Sequence, residues 1–295
     1  MPFISKYRNK VSVKVMRKVD VNEIENTIRE LCIKANVYLG EDVSRAMRLS
    51  LDNEKSPVGR EILKQLIENA EVAKTKEMPM CQDTGMVVVF VELGQDVMLV
   101  GGGLSDAINR GVSRGYKEGY LRKSVVKDPI LRINTGDNTP AIIHYDIVPG
   151  DRIRITLAPK GFGSENMSKI KMLKPSDGII GIENFVLEVV SEAGPNPCPP
   201  IVVGVGIGGT FEKAALLGKM ALTRKIGEYS KLVHIKELEI SLLERINRLG
   251  IGPQGLGGRT TALAVHLEVY PTHIAGLPVA VNINCHASRH EEAII

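Results

Sequence analysis

Residues 86–100 read MVVVFVELGQDVMLV, and they mark the point where the chain changes texture. Val87 to Val91 is a run of β-branched and aromatic side chains of the length a buried strand needs, Val97 to Val100 reads as a short second strand, and a helix follows Ser105. Upstream the pattern is helical. Asp20 and Glu23 form a capping-box-like start, after which Ile24, Ile28, Leu31, Ala35 and Leu39 recur at helical spacing. Ser56 followed by Pro57 opens another helix that turns Ile62, Leu66, Ala70 and Ala73 inward. Downstream, Ala141 to Val148 and Arg152 to Leu157 alternate apolar and polar residues across Pro149-Gly150-Asp151, which predicts a hairpin with one exposed face. Beyond it, helices predicted at 179–192, 211–227 and 235–248 alternate with strands at 201–206, 262–269 and 278–284. The expected fold class is mixed α/β: a helical N-terminal part, then mixed β-sheet lobes with packing helices, forming a single domain over 16–295 in one or two lobes.

The chain has 295 residues, 43% of them apolar, enough for one large core or two modest ones. Its formal charge of +4 is accounted for by Lys6, Arg8, Lys10 and Lys14, which lie in an acid-free stretch. Residues 1–15 therefore read as a flexible basic tail, with Met16 as an alternative start. The neutral remainder offers no concentrated basic face, which argues against a nucleic-acid partner. Lys and Arg interrupt every apolar stretch before Met16, and no later run reaches the ~18 apolar residues of a membrane span. A cytoplasmic location and no membrane partner are expected.

Four cysteines without a Cys-x-x-Cys pair speak against a disulfide scaffold and a zinc ribbon. Cys32 lies inside a predicted helix and reads as core packing. Cys81, Cys198 and Cys285 each fall in a loop at the margin of a predicted strand. Three separated thiols suit a zinc completed by a histidine, or an iron-sulfur cluster with one iron left open. Gln82 and Asp83 put an amide and a carboxylate beside the first thiol, a useful pairing around a Lewis acid, although the same residues also suit a plain turn. The Asn196–Pro200 segment, NPCPP, is rigid and extended around Cys198.

A set of longer motifs runs in order along the chain: CQDTG (81–85), NTGDNTPA (134–141), KGFGSEN (160–166), CPPIVVGVGIGGT (198–210), GPQGLGGRTTALAV (252–265) and HIAGLPVAVNINCHASR (273–289). Together they resemble the class I fumarate hydratases and the related L-tartrate dehydratases, from about residue 20 to the C-terminus. The resemblance implies a hydro-lyase with a 4Fe-4S cluster held by Cys81, Cys198 and Cys285, leaving one iron without a protein ligand to bind substrate and water. Asp83 then becomes the acid-base residue, with His273 as the histidine placed near it, and Gln82, Arg122 and the backbone at Gly163 as donors to a small dicarboxylate. Single-chain family members continue into a second domain, whereas this sequence stops ten residues after Cys285. That implies the alpha subunit of a two-subunit enzyme, completed by a beta subunit that also supplies the C–H base, in an alpha2-beta2 assembly. Reversible hydration of fumarate to L-malate, a tricarboxylic acid cycle reaction, is the expected activity, and dehydration of L-tartrate or a mesaconate-type substrate is its alternative.

Two readings from other classes stand beside it. Residues 204–209, GVGIGG, satisfy the dinucleotide-binding pattern after a strand and before a helix, but Glu228 falls at a helix end and not at the tip of a second strand. Close backbone approach around the cluster or substrate is the expected use of those glycines. A non-catalytic iron-sulfur or zinc protein would have no need of the acid at residue 83. Lys160 reads as solvated, His144, His234 and His266 as structural, and His286 and His290 stay open beside the third cysteine.

Overall fold

The computed structural model describes residues 16–295; the tail expected at 1–15 lies outside the described residues. In chain order the elements are β1 (Arg17–Asp20), α1 (Val21–Val37), α2 (Glu41–Asn53), α3 (Pro57–Lys76), β2 (Met86–Gly94), β3 (Val97–Val100), α4 (Leu104–Glu118), β4 (Ile142–Val148), β5 (Ile153–Lys160) and α5 (Phe162–Glu165). They continue as β6 (Lys169–Leu173), α6 (Gly178–Ala193), β7 (Ile201–Gly208), α7 (Phe211–Ala221), α8 (Val233–Asn247), β8 (Ala262–Tyr270), β9 (Leu277–Asn284) and β10 (Glu291–Ile294). The fold is mixed α/β, as expected. Both predicted N-caps form: Asp20 accepts from the Asn22 amide, and Ser56 accepts from the Gly59 amide at 3.1 Å.

Two four-stranded sheets organise the chain, in the orders β10-β5-β2-β4 and β6-β9-β7-β8. The first builds a core from Val87, Val89, Val91, Ile153, Ile155 and Leu157 against Ile24, Ile28, Ile108 and Val112 of α1 and α4. The second packs Val203, Val205, Val265, Val279 and Val281 against Val186, Val189, Leu242 and Ile246 of α6 and α8. A third cluster seats Val43 and Met47 of α2 and Leu63 of α3 on Val202, Leu263 and Ala264. The N-terminal helices are thus divided: α1 serves the first sheet, while α2 and α3 cover the second. The chain returns at its C-terminus, where β10 pairs with β5.

The expected hairpin of residues 141–157 does not form. β4 and β5 flank β2, which pairs in parallel with β4 and antiparallel with β5. The Pro149–Asp151 connection instead wraps over the end of β2, where the amides of Gly94, Gln95 and Asp96 donate to the carbonyls of Arg152, Val148 and Gly150. Gly94 permits this, because a Cβ there would lie 2.5 Å from the Gly150 oxygen. Alternation reported a half-exposed strand correctly but could not name its neighbour.

The glycine run on β7 also has a packing use. A Cβ on Gly204 or Gly206 would meet the Gly218 or Ala214 carbonyl of α7 at 2.2 or 2.0 Å, so these glycines admit a helix backbone and not a cofactor. No helix among the described residues is long and apolar enough to cross a membrane.

Candidate functional site

The three loop cysteines meet where the two sheets adjoin. Cys81 precedes β2 in the first sheet, Cys198 precedes β7 in the second, and Cys285 follows β9, whose last residue Asn284 pairs with Val202 near the start of β7. Antiparallel pairing therefore brings the second and third cysteines to one end of that sheet. The His286 amide donates to the Cys198 carbonyl at 3.2 Å, and its ring nitrogen Nδ1 lies 3.1 Å from the same oxygen. Cys198 itself adopts φ +54°, with the Gln254 amide and side chain both donating to Pro199 O at 2.7 and 2.8 Å. Cys81 and Cys285 pack together against Ala73, Met80 and Ala287.

All three thiols are free. Burial pushes the Cys198 thiol above its ordinary pKa, and the neighbouring Cys285 and Cys81 push it further. Burial also raises Cys285, against the opposing pull of Arg289 and Lys160. Cys32 lies in the first core with no exposure, and burial raises its pKa strongly, as its helical position predicted. Among the described residues, no group of three His, Cys, Asp or Glu side chains is gathered as it would be around a single metal ion.

Asp83 is carried on a turn fixed from several sides. Its Oδ1 accepts from the Gly85 amide at 3.0 Å, its Oδ2 from the Phe162 amide at 2.8 Å, and its own amide lies 3.4 Å from Cys81 Sγ. The Phe162 bond draws the KGFGSEN segment onto CQDTG. Gly85 adopts φ +79°, and a Cβ there would sit 2.8 Å from the Lys160 backbone, so residue 85 needs glycine for conformation and for space. The Tyr116 hydroxyl lies within hydrogen-bond reach of the Thr84 and Gly85 carbonyls, and Asn138, fully buried, donates to Gly85 O and accepts from the Ser124 amide. The NTGDNTPA motif therefore acts as a brace behind the turn.

Arg122 is exposed at the edge of this arrangement, and its carbonyl accepts from Thr84 Oγ1 at 2.9 Å. Gln82 and Gly163 are exposed too, Gly163 beside the Asn196 carbonyl. The structure thus gathers Cys81, Cys198, Cys285, Gln82, Asp83, Arg122 and Gly163 at one junction. His273 stands elsewhere: its exposed loop precedes β9, and the eight residues of that strand extend for about 26 Å before Cys285. Neighbouring Thr272 bonds Gly209 at the far end of β7.

Two cations are buried here: Lys160, which the sequence reads as solvated, and Arg289, which it does not single out. Lys160, 4% exposed, donates to the Ile283 carbonyl, to Ser164 Oγ and toward Glu165. Arg289, also 4% exposed, donates from Nη2 to the Asp83 carbonyl. Charge alone predicts solvent for both, and only their place inside long motifs could have singled them out.

Residues 25–294 match the family model described as fumarate hydratase (Fumerase). The chain belongs to this family. It is a hydro-lyase of the fumarase and tartrate dehydratase group. A Methanocaldococcus jannaschii protein named "Putative L(+)-tartrate dehydratase subunit alpha" is 46% identical over 277 residues, covering 90% of this chain and 95% of that protein. The L(+)-tartrate dehydratase subunit alpha of Escherichia coli K12 is 33% identical over 279 residues, covering 93% and 91%, and that of E. coli O157:H7 is 34% identical over the same span.

Proposed function

We propose that the chain is the alpha subunit of an iron-sulfur L(+)-tartrate dehydratase, completed by a beta subunit in an alpha2-beta2 assembly. The observation that carries the reading is the fastening of the Asp83 turn at the same junction as three free thiols on three separate loops. The relatives' names favour tartrate as substrate over the fumarate and L-malate pair that the motifs alone suggested. Their designation as alpha subunits supports a separate beta chain.

The donor set fits a 4Fe-4S cluster held by Cys81, Cys198 and Cys285. Three thiols interact without converging on a point, which suits one thiolate per iron better than a single ion. Thiols whose pKa is raised when free lose their protons on metal binding. When bound, the cluster supplies a Lewis-acidic iron that carries no protein ligand.

Around it, this chain's residues orient and move protons. Arg122 can grip a substrate carboxylate with two parallel hydrogen bonds, and Gln82 and the Gly163 amide add donors at the open side. The Asp83 carboxyl, held by the Gly85 and Phe162 amides, hands a proton to the departing hydroxyl and recovers it in the reverse direction. The C–H proton leaves to a base on the beta subunit. Exposed Tyr120, Ile130, Leu131 and Ile133 on the segment around Arg122 suit a surface which that partner covers. His273 keeps the family's proton-transfer role as an expectation only, and its position calls for a second chain to bring it to a site.

Anaerobic co-purification with the beta chain, followed by iron and sulfide analysis and parallel assays of L(+)-tartrate, L-malate and fumarate, tests the reading. About four irons and four sulfides per alpha chain and the highest kcat/KM on tartrate are expected. Preference for fumarate or malate would return the substrate to the first expectation, and zinc or no metal would remove the thiols from their role.

A further inference from the structure

Thr84 joins two parts of the site that lie 38 residues apart in the chain. It is 2% exposed, and its Oγ1 donates to the Arg122 carbonyl at 2.9 Å. A second tie runs beside the first: Asn138 donates from Nδ2 to Gly85 O at 3.2 Å, and its Oδ1 accepts from the Ser124 amide at 2.7 Å. The 134–135 segment holds the same stretch, with Asn134 Nδ2 donating to Lys123 O and the Thr135 amide to Val125 O. The backbone beneath Arg122 is therefore fixed, while its exposed side chain has no hydrogen bond or ion pair among the described residues. A fixed base and an unoccupied guanidinium suit a carboxylate grip, because little order remains to be lost when the ligand binds.

The same turn carries the acid. Asp83 immediately precedes Thr84, its carboxylate accepts from the Gly85 and Phe162 amides, and its carbonyl accepts from Arg289. The neighbouring exposed cation, Lys123, is tied through its carbonyl to Asn134 and not to the acid's turn. A hydroxy diacid presents its departing hydroxyl and its far carboxylate at a separation set by chain length.

We infer that Thr84 is a positioning residue that sets substrate length: its hydroxyl fixes the spacing of Asp83 from Arg122, and so selects four-carbon dicarboxylates over longer ones. This rests on the roles given above to Asp83 and Arg122.

The test uses the full chain with its beta subunit, reconstituted without oxygen, as wild type, Arg122→Met, Thr84→Val and Thr84→Ser. Iron per chain, kcat and KM are measured on whichever of L(+)-tartrate, L-malate and fumarate the wild type prefers, beside inhibition constants for succinate and glutarate. Thr84→Val is expected to hold wild-type iron and to raise KM and the succinate constant roughly fivefold, the share of one neutral hydrogen bond, with kcat within about twofold. Its preference for succinate over glutarate narrows. Thr84→Ser keeps the hydroxyl and returns each value to within about twofold of wild type. If the valine variant does not fold, Asn138→Gly carries the test with the same expected change, since it suits the φ of +64° and removes the second tie. Unchanged KM and inhibition constants, a loss of kcat at constant KM, or a serine variant as impaired as the valine one overturns the inference. An Arg122→Met complex with wild-type KM fails the carboxylate grip itself and this inference with it, a result readable before Thr84 is changed.

Discussion

Lys160 Nζ lies 2.7 Å from the carbonyl oxygen of Ile283, joining the last residue of β5 to the penultimate residue of β9 and so one sheet to the other. Burial lowers its pKa to about 8, while Glu165 pulls it upward, so the ammonium persists at neutral pH. Lys160→Met removes the donor and leaves Ile283 O unpaired inside the protein. Loss of one partner of a buried charged network costs about 2–4 kcal/mol, read as a lower urea midpoint for the cluster-free chain. Retention of wild-type stability would show that the two sheets do not depend on this bridge.

Asp83→Asn keeps the size of the side chain and an oxygen to accept from a backbone amide, but it cannot pass a proton. Removal of a general acid-base group typically costs about 10²–10⁴ in kcat. The expected variant holds iron and sulfide at wild-type levels and binds substrate with KM within a few-fold, with turnover lost. A variant that turns over within threefold of wild type would take Asp83 out of the chemistry.

The sequence made the interior strands and helices legible because each is a buried apolar run or a capped periodic segment, as at Val87 to Val91 and at Asp20. It missed β1, β6 and β10, which are RKVD, KIKML and EEAI: short, charged and at sheet edges, where side chains report solvent more than pairing. Turn residues around Cys81, Cys198 and Cys285 marked them apart from Cys32, and the fold gathers those three. Motif order says nothing about strand direction, however, and the extended run from His273 to Cys285 separates two residues that lie in one motif. The sequence reads Lys160 as solvated and does not single out Arg289 for a different reason: a charged residue is buried only when its partners are, and those partners, Ile283 O and Asp83 O, are distant in sequence.

Glu54 offers a test of how the loop behind Cys198 is held. Its carboxylate is buried and accepts from the amides of Lys55, Ser56, Arg259 and Thr260 at 2.8–3.0 Å, pinning the start of α3 to the 252–261 loop whose Gln254 supports Pro199. Burial raises its pKa, yet the Ser56, Arg259 and Thr260 amides outweigh that and hold it below the ordinary glutamate value. Glu54→Gln exchanges charge-assisted bonds for neutral ones and turns one donor toward other donors. A loss of about 1.5–3 kcal/mol is expected in chemical unfolding, with faster loss of iron from the holoprotein because the Cys198 segment loses its backing. An unaffected iron-release rate would separate this loop from the thiols.

His266 contributes a share of the protein's acid limb that one substitution can isolate from the shares of His144, His286 and His290, whose pKa values burial also lowers. It is 2% exposed on β8, its Nδ1 3.1 Å from Ala221 O, and burial, then the nearby Arg224, lower its pKa from 6.5 to about 4. The unfolded chain therefore binds this proton between about pH 6.5 and 4 while the folded chain does not, so unfolding takes up a proton in that window. Stability is flat with respect to this group above pH 6.5 and declines as pH falls toward 4. At 1.36 kcal/mol per pH unit the decline amounts to about 3 kcal/mol. His266→Gln keeps a donor for Ala221 O and cannot titrate. Urea unfolding from pH 7 to 4 should show the variant losing about 3 kcal/mol less than wild type, after both are referred to their own pH 7 values. Parallel curves for the two proteins would mean that His266 is already protonated in the fold, with its charge compensated by Glu239 on the neighbouring helix α8.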